Sequence, residues 1–441
     1  MKKHTKLTSV LLAAAMLITA SCSGGNSQTT TTTTASAAVP DTAANGDTAA
    51  PADDTTEADA ESKADEPADE PDDTQDDGAS GNQTVTPDAS NVKLIGRTLE
   101  ENGVLWLAQS ASGVEFTFKG TELSVDIKGD GAASGDADSQ ARFAVYINGE
   151  RKLDEMVDSS EKTYDIFSAD SEEEVTVKII KLSESANSTF GIENISFVGS
   201  EISPTPAKDL KIEFIGDSIT CGYGVDDEDR DHHFSTKTED ATKTYAYKTA
   251  EAFDADYSFV SYSGHGIISG YTADGKKNEQ SLVPPVYEQF TKTYGSSNGY
   301  YDETTPWDFS SFVPDYIVIN LGTNDSSYVK TKEARQEFID GCEDFIKQVR
   351  NNNPDAYIFW ALGTMGMNLN SSVKKAVEAY IEETGDDKVT FIALSQQNGD
   401  KNGYAADWHP TEATHTEAAE KLVLKMKEFL EGGAADEDEA A

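Results

Sequence analysis

Cysteine is nearly absent. The 441-residue chain has three, Cys22, Cys221 and Cys342. So few cannot build a disulfide framework or a thiolate zinc site, and Cys221 and Cys342 read as free, half-buried thiols, with a single bridge between them the alternative. Positive charge is scarce too. Lys and Arg number 35 against 80 Asp and Glu, a net charge of -45. Such a charge repels nucleic acid and anionic surfaces and suits neutral or cationic partners. There is no His-Glu-x-x-His, no Cys-x-x-Cys and no Gly-rich phosphate loop, so neither a metal nor a cofactor is expected.

Large apolar residues are missing between 23 and 90, where Thr, Ala, Ser, Asp, Glu, Pro and Gly dominate. That composition cannot offset its ordering entropy. Residues 23–90 are expected to form a disordered acidic linker, extended by self-repulsion over 53–77. Residues 432–441 make a second acidic tail. Ahead of the linker, Lys2, Lys3 and Lys6 precede an apolar run over 10–20, too short for an ordinary spanning helix. The run ends at Thr19-Ala20-Ser21-Cys22. This reads as a lipoprotein signal peptide over 1–22 with Cys22 lipidated, although Thr19 stands where Leu is usual. The expectation is a bacterial cell-surface protein that meets the membrane only through its lipid anchor. Plain secretion is the alternative.

Beyond the linker the chain takes on strand periodicity. Over 91–202, Val114, Phe116 and Phe118, then Leu123, Val125 and Ile127, then Phe143, Val145 and Ile147 alternate with polar residues. Further strands run through Val175, Val177 and Ile179 and through Ile192, Ile195 and Phe197, and Asn148-Gly149 is a hairpin signal. An all-β, jelly-roll-like sandwich is predicted. After Ser203-Pro204-Thr205-Pro206 the pattern changes. Over 207–431, apolar runs at 212–215, 257–262, 316–320, 357–362 and 389–394 alternate with helical stripes. This predicts an α/β domain, a parallel sheet with helices on both faces. A long loop over 272–307 is rich in Gly, Tyr and Pro.

Four short motifs fall beside strand ends of that sheet. Gly216-Asp217-Ser218-Ile219-Thr220 follows the first strand. A serine there meets substrate at the sheet's rim but needs a base to become a nucleophile, and alone it equally suits a helix cap. Thr220 departs from the Gly-x-Ser-x-Gly elbow. Ser263-Gly264-His265-Gly266 follows the second strand, where glycine can present its N–H to a ligand or simply turn the chain. Gly322-Thr323-Asn324-Asp325 follows the third. It brings the Asn324 amide to the same edge or makes a plain Asn-Asp turn. Asp407-Trp408-His409-Pro410 precedes the last helix and offers a base.

The order Ser, Gly, Asn, His resembles that of the SGNH (GDSL-type) esterases and lipases. With a β domain in front and with Gly222-Tyr223-Gly224 following the serine motif, residues 91–431 resemble carbohydrate esterase family two, the acetyl xylan esterase-like enzymes. The resemblance implies an SGNH-hydrolase-like fold and a serine esterase. Ser218 would be the nucleophile and His409 the base. The Ser218 N–H, the Gly264 N–H and the Asn324 amide would form the oxyanion hole. Asp407 would complete a triad, although it stands two residues before His409 where the superfamily places its Asp three before. A backbone carbonyl is the alternative orienting group. Tyr271, Trp307 and Trp408 are candidates to stack on sugar, with packing the competing role, above all for Trp307. The implied reaction removes O-acetyl groups from plant polysaccharide, acetylated xylan or glucomannan, through an acetyl-serine intermediate. Competing readings are a GDSL-type lipase or thioesterase, a peptidoglycan O-acetylesterase, and a non-catalytic carbohydrate-binding surface protein.

Overall fold

The apolar series at 114–118 and 123–127 belong to one strand, Gly113–Gly129. Their parity differs, and the register explains why. Opposite Gly199 and Val198, this strand carries one extra residue, Thr121, between Gly120 and Glu122. One extra residue turns every later side chain to the other face. The bulge therefore returns Leu123, Val125 and Ile127 to the core already filled by Val114, Phe116 and Phe118, and all six are buried. The Asn148-Gly149 turn joins Arg142–Ile147 to Glu150–Met156 with both φ angles positive, 51° and 79°, as a two-residue type I′ hairpin requires.

The computed structural model describes residues 81–432. The signal peptide with Cys22, the linker up to residue 80 and the tail from 433 lie outside the described residues. The end of the expected linker does not, and here the boundary at 90 is corrected. Asn82–Val85 is a strand paired antiparallel with residues 195–198. Nine antiparallel strands make one sheet in this domain. Phe143 and Phe190 sit on strands separated by two others, about 14 Å apart if the sheet were flat. Their ring centroids are 5.3 Å apart. The sheet thus curls around its own core, in the manner of a jelly-roll-like sandwich.

In the second domain five parallel strands lie in the order Ala255–Ser261, Leu210–Gly216, Tyr316–Asn320, Tyr357–Thr364, Val389–Gln396. Neighbouring residues along each strand feed opposite cores. Ile215, Val260, Ile319 and Trp360 pack with the helices Lys332–Asn352 and Asn370–Thr384. Phe214, Phe259, Val318 and Phe359 pack with Tyr245–Ala252 and Glu412–Leu430. Burial on both faces is why the strands read as unbroken apolar runs. Strand order reverses beside Leu210–Gly216, and open α/β sheets take their ligands at the carboxyl ends next to such a reversal.

The β domain is built into this one. Ile95, Ala111, Ala144, Ile180 and Leu182 share a core with Ile212 and Phe214. Arg97 is fully buried, donates to the Tyr287 and Gln289 carbonyls at 2.6 and 2.7 Å, and pairs with Glu213 at 3.2 Å. Cys221 and Cys342 are both free and buried.

Candidate active site

Ser218 opens a four-residue helix, Ser218–Cys221, straight after the strand Leu210–Gly216. Asp217 caps that helix, accepting the Ile219 N–H at 3.0 Å. Ser218 therefore does not spend its hydroxyl as a cap. Its Oγ lies 2.9 Å from His409 Nε2. On the far side of the ring, Nδ1–H donates to the Ala406 carbonyl at 3.1 Å, which fixes the tautomer and leaves the Nε2 lone pair facing Ser218. Burial pushes the His409 pKa down to about 4, against smaller opposing pulls from the Ala406 carbonyl and Asp407. At neutral pH the ring is uncharged and able to take a proton.

Asp407 is not the third member of a triad, which corrects the first of the two expectations for orienting His409. Asp407 and Trp408 both have positive φ, 49° and 65°, and the His409 N–H donates to the Ala406 carbonyl at 3.0 Å. This is a I′-like turn that folds the Ala406 carbonyl onto His409 Nδ1. Nδ1 is thereby occupied, and the Asp407 side chain points elsewhere. One oxygen accepts from the Tyr223 hydroxyl at 2.5 Å and the other meets His233 Nδ1 at 2.9 Å. The Tyr223 ring stacks on His409, centroids 3.9 Å apart and 17° from parallel. The Asp407 side chain makes no hydrogen bond to His409; it supports the stacked ring and adds a through-space charge.

The oxyanion side rises from the next two strands. Gly264 adopts φ +75°, and a Cβ there would meet nothing within 4 Å. Its glycine answers to backbone conformation beside open space, not to crowding. Among the described residues, neither the Ser218 nor the Gly264 N–H donates to another group of the chain. Asn324 Nδ2 donates to the His265 carbonyl at 2.8 Å and lies 3.3 Å from Asp217 Oδ2. These bonds join the third motif to both the first and the second. Asp325, fully buried, accepts the N–H groups of Ile267, Ile268 and Ser269 at 3.0, 2.8 and 3.0 Å. It clamps the loop behind Gly264, and at Gly266 a Cβ would stand 2.5 Å from Asp325 Oδ2. Burial pushes Asp325 up to about 6, and burial with Asp325 nearby pushes Asp217 up to about 7.

A serine hydroxyl on a neutral imidazole, with two free amides and a carboxamide alongside, is suited to acyl transfer. The chain matches the family models Carbohydrate esterase 2 N-terminal over residues 94–206 and GDSL-like Lipase/Acylhydrolase over 212–422. It is 30% identical to a family two carbohydrate esterase from Clostridium thermocellum, solved in complex with cellohexaose. That alignment covers 77% of this chain and 99% of the other, with a TM-score of 0.67. The chain belongs to carbohydrate esterase family two. Cellulase/esterase CelE of Acetivibrio thermocellus is 32% identical over 328 residues, 73% of this family two chain, which spans only 37% of CelE. An acetylxylan esterase / glucomannan deacetylase of Cellvibrio japonicus is 26% identical over 361 residues, 80% of this chain and 92% of the relative.

Around this family two site the aromatic candidates divide. Tyr271 and Trp408 are exposed. The Tyr271 N–H donates to the Gly264 carbonyl at 2.8 Å, and Trp408 adjoins His409 with the Arg230 guanidinium 4.1 Å from its ring centroid. Trp307 is not brought to the site. Its ring packs on Arg97 at 5.1 Å, the packing role weighed against stacking. Tyr294 was missed. It is 62% exposed, and its N–H donates to Ala186 at 2.8 Å. The Tyr-rich loop over 272–307 was the available signal. Tyr223 and Asp325 lay inside the recognised motifs without a role, and Glu184 carried no signal at all.

Proposed function

We propose that this chain is an exported esterase that removes O-acetyl groups from plant-wall glycans of the xylan or glucomannan type. The bond from His409 Nε2 to Ser218 Oγ at 2.9 Å, with Nδ1 on a carbonyl, carries the reading. His409 takes the Ser218 proton as Oγ attacks the acetyl carbonyl. The oxyanion accepts from the Ser218 and Gly264 amides and the Asn324 carboxamide. The imidazolium then protonates the departing sugar oxygen, and water attacks the acetyl-serine by the same route in reverse to release acetate. Exposed Tyr271, Trp408 and Tyr294 give flat faces for sugar rings. Support for the substrate class comes from the relatives, one named for acetylxylan and glucomannan and one solved with cellohexaose. The Thr19-Ala20-Ser21-Cys22 sequence supports export and a lipid anchor on Cys22.

Acetate release from acetylated xylan and glucomannan tests the reading, beside p-nitrophenyl esters of two to eight carbons. Turnover of both glycans, a preference for acetyl among the aryl esters, and loss in Ser218→Ala are expected. Release from acetylated peptidoglycan alone, or a preference for long acyl chains, would replace it with one of the competing readings. Fatty-acid labelling lost in Cys22→Ala tests the anchor separately.

A further inference from the structure

The oxyanion loop is touched by a side chain from the other domain. Glu184 follows the strand Glu161–Lys181 of the β domain and is 1% exposed. Its Oε2 accepts the Ser263 N–H at 2.6 Å. Ser263 is the residue before Gly264. The carboxylate is itself held in place. Asn187 Nδ2 donates to Oε1 at 3.1 Å, and Cys221 Sγ lies 3.5 Å from Oε2. Its main chain is stapled too: the Glu184 N–H donates to Glu239 Oε2 at 3.0 Å. Lys181 Nζ, fully buried, donates to the Ser183 and Glu184 carbonyls at 2.6 and 2.8 Å.

We propose that Glu184 is a positioning residue for the oxyanion hole, its carboxylate fixing the Ser263 peptide so that the following Gly264 N–H faces the acyl carbonyl. The inference rests on the acyl-transfer reading of Ser218 and Gly264. The other end of the peptide is fixed independently, with His265 Nδ1 at 3.0 Å from the Ser263 carbonyl and the Tyr271 N–H on the Gly264 carbonyl. Glu184 is the anchor on the amide side. A buried carboxyl oxygen accepts the Ser263 N–H with no water to compete for it. Displacing a donor by a fraction of its bond length weakens a transition-state contact more than a ground-state one. The β domain is on this account part of the catalytic apparatus and more than a cover.

Three variants in the full chain separate geometry from charge. Glu184→Gln keeps an oxygen acceptor for Ser263. Glu184→Asp keeps a carboxyl group but is one methylene too short, and Glu184→Ala removes the anchor. On p-nitrophenyl acetate, with kcat counted per Ser218 titratable by a fluorophosphonate, Asp and Ala should lower kcat by about 10- to 100-fold and leave KM within about threefold, while Gln stays within about threefold of wild type in kcat. If Glu184→Ala does not fold, the Gln and Asp pair decides. Folded Asp and Ala variants with kcat within about twofold of wild type would overturn the proposal, as would a Gln variant that falls as far as Asp. An aryl acetate makes the outcome independent of the natural glycan. A wild type inert toward it would instead count against the acyl-transfer reading.

Discussion

On one side of Ser218 the oxyanion wall is tied down at many points. Asp325 holds three consecutive amides of the loop behind Gly264, Asn324 is tied to the His265 carbonyl, and Glu184 reaches in from the other domain. On the other side the His409 ring hangs on one carbonyl, that of Ala406, at the head of a turn built from two non-glycine residues with positive φ. Each left-handed residue of that kind costs about 1–2 kcal/mol. The turn persists because its parts are held outside it. The Asp407 N–H is on the His232 carbonyl, Asp407 is on Tyr223 and His233, and the Trp408 carbonyl accepts from Gln397 at 2.9 Å. The two walls have different tasks. Oxyanion donors must already point at charge that does not yet exist, so every rotation has to be blocked. A base needs only one tautomer and one ring orientation, and a single acceptor behind it supplies both.

The heaviest way to break the comparison is on the fixed wall. Asn324→Ala removes the carboxamide proposed as a donor to the oxyanion, a role in which Nδ2 gives up its long 3.3 Å contact with Asp217, and about a 10²- to 10³-fold loss of kcat is expected with KM little changed. Steady-state kinetics on an aryl acetate reads it. A loss below about fivefold would mean that the Ser218 and Gly264 amides suffice and that the Asn324 side chain only braces the His265 carbonyl.

A second test sharpens the base wall. Only neutral His409 accepts the Ser218 proton, and burial holds the ring's pKa near 4. The His409 contribution should be flat from neutral pH to about 5 and fall as pH drops through about 4, while any change between 5 and 7 belongs to Asp325 and Asp217, pushed up to about 6 and about 7. An imidazole at its ordinary value of about 6.5 would be only about 3% neutral at pH 5. The two cases differ there by about thirtyfold in kcat/KM. An acid limb near 6.5 that persists in Asp217→Asn and Asp325→Asn would show that the ring is more hydrated in solution than its burial implies, whereas one that moves in either variant belongs to that carboxyl.

Most of this geometry is legible in the sequence, for a local reason. Ser218, Gly264 and Asn324 each follow a strand directly, and His409 lies just ahead of a helix. Strand alternation then brings the first three to one edge. The long-range anchors were not legible. Glu184 sits 79 residues before its partner Ser263 and on the other domain, so only the packing of the two domains reveals it. Thr121 was illegible as a bulge because the parity change it causes also reads as a break between two strands. Asp407 and Trp307 were the site candidates whose types misled, Trp307 because its ring packs on Arg97. An acid near a histidine suggests a triad, but φ angles of 49° and 65° at 407 and 408 decide which group reaches Nδ1, and although Asp tolerates a positive φ, Trp does not signal one.

The smallest expected effect comes from that turn. Asp407→Asn keeps an oxygen to accept the Tyr223 hydroxyl and an amide to face His233, so the turn and the stacked ring stay in place. The only loss is a negative charge near the imidazolium, which acts through space without a hydrogen bond to the ring. kcat should fall by no more than about threefold, against the roughly 10⁴-fold loss seen when a bonded triad acid is made neutral. A fall of two orders of magnitude or more would return Asp407 to the triad. It would also mean that the turn reverses during catalysis, releasing Nδ1 from the Ala406 carbonyl. Tyr223→Leu separates the two accounts. It removes the stacked ring but not the carboxylate, so it should exceed Asp407→Asn in effect if Asp407 acts through Tyr223 and fall below it if the carboxylate reaches His409 directly.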